Sequence, residues 1–277
     1  MAEVGQGVRD ALKAGTLGSF GVAALGAVMM APALGIYANL GLISADSGRV
    51  APAVFMVALF LTLPTAVSYA LISREIPSAG SGYTWLSESV NPLVGVWTGL
   101  LLVATYFFSV ILQPLLFGAF LNELLTELFA WQAGYGTWLV GVLISTLAVA
   151  LLAYPGIEIS AKSSITLTVL EMVVVLALAG TILVICLGQG RVEYQPFNPG
   201  ASLHGFQGFS KGLVFALLSF GGFGVITTAA EETHAPRSVI PRAVVMACIL
   251  LGVFWAFTSW GFSLVLPEEA WAKYVAS

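Results

Sequence analysis

The chain has 277 residues, of which 58% are hydrophobic and only 9% charged, with a formal net charge of −4 and a mean hydropathy of +0.96. Soluble domains carry roughly 25% charged residues, so the polar surface needed to cover a water-soluble globule is missing and the chain reads as an all-α integral membrane protein. No basic patch supports a nucleic-acid partner. Cys186 and Cys248 lie inside apolar runs and read as small buried hydrophobes, which excludes a disulfide framework.

A helix that crosses a bilayer needs about 20 mostly apolar residues. Seven stretches satisfy this: 19–43, 52–72, 93–121, 135–154, 160–187, 208–230 and 241–264. Turn-forming segments such as "SADSGRVAP", "REIPSAGSG", "YPGIEIS" and "HAPRSVIPR" separate them. None of the seven alternates apolar and polar residues with period two, which argues against membrane strands. With the N-terminus inside, Arg9, Lys13, Arg74, Lys162, Arg237 and Arg242 fall on the inner side, and Arg49, Arg191, Lys211 and Lys273 on the outer. That bias predicts a cytoplasmic N-terminus.

Two spans are interrupted near their centres. The first contains "GAVMMAPALGIYANLG", in which Pro32 removes a backbone donor and clashes with the preceding turn. The sixth contains "LLSFGGFGVITTAAEE", with Gly221, Gly222 and Gly224 together, each costing a helix interior about 1 kcal/mol relative to alanine. Interruptions five helices apart match the plan of transporters built from inverted repeats, where paired broken helices expose backbone donors and acceptors at the midplane. The other reading is packing: glycine and proline are common in membrane helices, and small residues permit close helix crossings.

The stretch "SFGGFGVITTAAEETHAPRSVIPRA" resembles the sixth-helix signature of the amino acid–polyamine–organocation transporters, with its Phe/Gly-rich break, two acids and Ile-Pro-Arg. "SREIPSAGSGYTW" is similar to the loop after the second helix in that family. The resemblance implies a leucine-transporter-type fold of five plus five inverted helices in one transmembrane domain over residues 1–277, with the first repeat at about 19–187 and the second beginning at about 208–264. It implies a substrate site lined by Ala31, Pro32, Ala33, Leu34, Gly35, Phe220, Gly221, Gly222, Phe223 and Gly224, with Tyr106 as a wall. Because Pro32 donates nothing, contact with a substrate carboxylate falls to the amides of Ala33, Leu34 and Gly35. Relatives often carry an acid or polar residue where this chain has Gly224, which favours a small or apolar amino acid over a diamine. Only seven of the ten or more expected helices are found, so the chain reads as truncated after the seventh.

Glu171 lies well inside the fifth span, where a charged side chain costs roughly 2.5–3.5 kcal/mol at a helix centre. It is the candidate group for coupling to H+ or Na+; proton-coupled relatives carry a lysine at a similar place. The alternative is a protonated carboxyl fixed by a neighbouring hydroxyl or carbonyl. Glu231 and Glu232 end the sixth span and are candidate gate residues, paired with Arg9 or Lys13, against a solvated helix end. His204 and His234 fall on opposite predicted sides, so no metal site is expected, and no phosphate loop, nucleophile elbow or paired catalytic acids suggest an enzyme or a cofactor. The expected function is secondary transport of amino acids or related amines across the plasma (inner) membrane, with an accessory subunit on a transporter-like scaffold as the alternative.

Overall fold

The computed structural model describes residues 19–129, 134–154, 157–233 and 235–265, without side chains at 19–21, 25, 157–162 and 232. Ten α-helices carry these residues: α1 Ser19–Met30, α2 Pro32–Tyr37, α3 Asn39–Ser47, α4 Ala51–Glu75, α5 Gly82–Ser89, α6 Pro92–Phe129, α7 Tyr135–Ala153, α8 Ile157–Gly188, α9 Gly205–Ser219 and α10 Pro236–Ser263. Short 3₁₀ turns lie at Gly48–Val50, Gln195–Phe197 and Pro199–Ala201, and a longer 3₁₀ segment runs over Phe223–Glu232. Among the described residues no strand occurs.

Among the described residues six stretches are long and apolar enough to cross a membrane: Asn39–Glu75, Pro92–Phe129, Tyr135–Ala153, Ser163–Gly188, Gly205–Glu231 and Pro236–Ser263. Val22–Tyr37 is a shorter apolar run. The protein is therefore an all-helical membrane protein. The first expected span is not one helix but three short ones, and its C-terminal piece continues through the turn Gly48–Val50 into α4, where an open loop was expected. Several other boundaries move outward by a few residues, most in α6, whose 38 residues exceed what a bilayer core requires, while the helix in the expected span 208–230 stops at Ser219.

Helix ends follow local chemistry. Proline stands in the first turn of α2, α4 and α10, where its missing N–H has no intrahelical acceptor to lose. At its other end α4 stops at Ile76, whose non-helical backbone (φ −122°, ψ 76°) fits the bias against helical conformation before Pro77. Pro241, expected to open the seventh span, instead lies inside α10, because Pro236 starts that helix five residues earlier.

The chain divides into two units, Met1–Ser81 with Ile165–Ser277, and Gly82–Ser164. In the first, α4 and α10 form the most extensive helix pair. Small residues bring them together: a Cβ on Gly252 would stand 2.7 Å from Leu59 Cδ1, and Ala58, Ala66, Ala243 and Ala247 are buried. Close approach of this kind is how membrane helices gain dispersion contacts when lipid is as apolar as their side chains. Phe55, Phe220 and Trp255 form the aromatic centre: Phe55 stacks on the Trp255 ring at 5.9 Å and Phe220 meets it edge-on at 4.9 Å.

One end of this unit is closed by charge. Arg49 pairs with Glu193 at 3.0 Å and donates from Nε to the carbonyl of Ser263. Lys211 pairs with Asp46 at 3.0 Å, and Trp260 donates to the carbonyl of Glu193. The 189–204 connection is thereby tied to the turn Gly48–Val50 and to the end of α10, and α9 is tied to α3. In the second unit, α6 packs along α5 and α7 through glycines: Gly99 against Tyr83, and Gly118 against the carbonyl of Trp138. The rest of α6 leaves Leu100, Leu101, Val103, Phe107 and Phe108 exposed.

Candidate functional site

The first interruption is a single residue. Ala31 adopts a left-handed conformation (φ 44°, ψ 71°), so α1 ends at Met30 and α2 restarts at Pro32. In the new first turn Pro32 has no N–H, and the amides of Ala33 and Leu34 have no carbonyl four residues back within the same helix. The amide of Ala33 points to Glu171 Oε1 at 3.5 Å, a long contact. The carbonyl of Pro32 accepts a hydrogen bond from Trp255 Nε1 at 2.8 Å. Gly35 permits this arrangement, since a Cβ there would run into the Trp255 indole.

The second interruption is longer. α9 ends at Ser219, Phe220 and Gly221 turn back on it through bonds to the carbonyls of Leu217 and Leu218, and Gly222 takes φ 106°, a left-handed value that favours glycine. The chain does not return to an α-helix. It continues for ten residues as the 3₁₀ segment Phe223–Glu232, although 3₁₀ runs beyond three or four residues are uncommon. Hydroxyls support it from within: Thr227 donates to the carbonyl of Gly224 and Thr228 to that of Val225.

The two interruptions meet. A Cβ built on Gly222 would stand 2.6 Å from the carbonyl oxygen of Met29 and 3.0 Å from its carbon, so the Gly-rich turn lies directly on the last turn of α1. Gly26 and Ile226 extend the same contact. On the other side of the breaks, Asn39 Nδ2 donates to Ser219 Oγ at 2.7 Å, joining α3 to the end of α9. The loop after α4 is tied in as well, through a buried 2.7 Å hydrogen bond between the hydroxyls of Ser81 and Thr227.

The sequence-derived site residues distribute as follows. Ala31–Gly35 and Phe220–Gly224 come together. Within them Pro32, Ala33, Gly35 and Phe220 are buried, Ala31, Leu34, Gly222, Phe223 and Gly224 are half-buried, and Gly221 is exposed. The Phe220 side chain belongs to the aromatic core against Trp255. Glu171, half-buried on α8, faces the first break. Tyr106 lies on α6 in the other unit. Glu231 is exposed. The Glu232 side chain, Arg9, Lys13 and His234 fall outside the described residues. His204 contacts the backbone carbonyl of Asp46. Among the described residues no cluster of three metal-binding side chains occurs.

Sequence reasoning did not single out Trp255, Tyr69 or Ser81. Tyr37-Ala38-Asn39 reads either as a polar lining after the first break or as part of the outer interface, and the Asn39 partner 180 positions away comes only from the fold. Trp255 carries a signal: an indole N–H in the middle of an apolar span needs an acceptor.

The amino acid permease family model matches residues 22–271, nearly the whole chain. The chain belongs to the amino acid permease family. It is 26% identical over 251 residues to the low-affinity putrescine importer PlaP of Escherichia coli (strain K12), covering 89% of this chain and 53% of that protein. It is 27% identical over 227 residues to the branched-chain amino acid permease BcaP of Lactococcus lactis subsp. cremoris (strain MG1363), covering 76% and 48%. A branched-chain amino acid permease BcaP of Bacillus subtilis (strain 168) is 24% identical over 269 residues, covering 92% and 56%. This permease chain spans about half the length of these relatives.

Proposed function

We propose that the chain acts in secondary transport of amino acids or related amines across the plasma membrane, by alternating access on a leucine-transporter-type scaffold of five plus five helices with a cytoplasmic N-terminus. The observation that carries this reading is the meeting of the two interruptions, with Gly222 on the carbonyl of Met29 and Ala33 beside Glu171. Two discontinuous helices apposed in this way offer backbone donors and acceptors to a zwitterion within an apolar surround. Ala31–Gly35 and Phe220–Gly224 line the substrate site. Names borne by relatives, a putrescine importer and branched-chain amino acid permeases, support the substrate class.

Glu171 is the coupling group, for H+ in this reading. Among the described residues its one recorded hydrogen bond comes from a backbone amide at the first break, so a proton arriving there alters the site directly. Glu231 and Glu232, with Arg9, form the inner gate. The test is uptake of radiolabelled leucine and putrescine into vesicles containing the protein. Saturable uptake of at least one of the two above vesicles without the protein is expected, and uptake of both that rises linearly with concentration and equals the blank would reject the reading. A Glu171→Gln variant, which keeps shape and loses the charge, is expected to retain binding but lose dependence on an imposed proton gradient. Full retention of that dependence would remove Glu171 from coupling.

A further inference from the structure

We infer that Tyr69 is a specificity-determining residue of the substrate site and that it restricts the substrate to amino acids with short apolar side chains. This rests on the reading that Phe220–Gly224 line that site. Tyr69 stands on α4, six residues before its end, and is half-buried. Its ring lies on Gly224: a Cβ built there would be 3.0 Å from Tyr69 Cε1, with Cζ and Cδ1 at 3.7 and 3.8 Å. The same ring meets Phe223 edge-to-face, with centroids 5.3 Å apart and planes at 74°. The residue missing as a side chain at position 224 is thus replaced by a ring from another helix.

The replacement changes both size and chemistry. Two adjacent positions of the second interruption are backed by aromatic carbon, which forms a rigid floor that a short apolar side chain can cover without losing hydrogen bonds. A longer side chain meets the ring. A second ammonium, as in a diamine, would have to give up water against aromatic carbon. The ring also turns its Cδ1–Cε1–Cζ edge toward Gly224, and an aromatic edge is the positive end of the quadrupole, which opposes a cation. The carboxylate that faces the breaks, Glu171, contacts the Ala33 amide at the first of them.

The experiment is uptake of alanine, valine, leucine, phenylalanine and putrescine by the protein reconstituted in liposomes, compared as Vmax/KM. Wild type is expected to take valine and leucine in preference to phenylalanine and putrescine. Tyr69→Ala should raise the phenylalanine-to-alanine ratio by ~10-fold, the scale on which a pocket discriminates by one or two methylenes. Tyr69→Phe, which keeps the ring, should leave the ratio unchanged. Gly224→Ala should weaken uptake through KM, and Tyr69→Ala with Gly224→Ala should recover it, because the added methyl then has room. If Tyr69→Ala lowers every substrate by the same factor, or the double variant is no better than Gly224→Ala alone, Tyr69 is only structural support and the inference is overturned. Wild-type preference for putrescine also overturns it. Wild-type uptake of none of the five would instead reject the transport reading itself.

Discussion

The two interruptions solve the same problem in opposite ways. In the first, one left-handed residue suffices, and the chain is helical again at the next position because that position is proline. Proline fixes φ near the helical value and has no amide to satisfy, so it restarts a helix as readily as it stops one. In the second, the glycines stop α9 and nothing restarts it. Ten residues then continue in the tighter 3₁₀ form, held by threonine hydroxyls and by contacts with Tyr69 and Ser81. The first break is local and pinned, by Trp255 on one side and Glu171 on the other. The second depends on its neighbours. A glycine break and a proline break are therefore not interchangeable, even when both are read as helix interruptions in a sequence.

The largest test of this contrast is Gly222→Ala. Its φ of 106° and the Met29 backbone at 2.6 Å both oppose a side chain, so a loss of about 2–4 kcal/mol is expected, from backbone strain and overpacking together. The check is the thermal midpoint of the purified protein, and a change of less than a degree or two would mean that the two breaks do not bear on one another as described. Trp255→Phe comes next. It keeps most of the ring volume and deletes the donor to the Pro32 carbonyl, for an expected cost of about 1–2 kcal/mol; a neutral result would show that the first break is not pinned from α10. Pro32→Ala should be the smallest, under about 1 kcal/mol, because alanine adopts helical φ freely and loses only the chain stiffness proline supplies. Should Pro32→Ala prove more damaging than Gly222→Ala, the contrast drawn between the two breaks would be reversed.

What could be read from the sequence was what depends on near neighbours. Long apolar runs located the helices, and Pro32 and the glycines at 221, 222 and 224 located both interruptions, since each acts on its own backbone. What followed each interruption could not be read. "FGVITTAAEE" has no intrinsic reason to form ten residues of 3₁₀ helix: hydroxyl bonds to carbonyls three residues back, as Thr227 and Thr228 make, occur inside α-helices of this chain too, and Tyr69 reaches the segment from 155 positions away. The Trp255 bond to Pro32 spans 223 positions, and the pairing of Arg49 with Glu193 depends on where the 189–204 connection settles. Charge counting assigned the sides of such residues but not their partners. Glu171 stood out because a carboxylate in an apolar run is expensive; its position opposite Ala33 needed the fold.

The 3₁₀ segment has a geometric consequence. With three residues per turn, side chains at i and i+3 eclipse, so Gly224, Thr227 and Ala230 stand in one straight file parallel to the axis instead of spiralling around it. That file is a seam of small side chains, and its first two members meet Tyr69 and Ser81. In an α-helix the same residues would drift by about 60° every three positions, and Thr227 would swing off Ser81 whenever Gly224 stayed on Tyr69. In the eclipsed form both contacts are made at once, Tyr69 on Gly224 and Ser81 on Thr227, one turn apart on the same face.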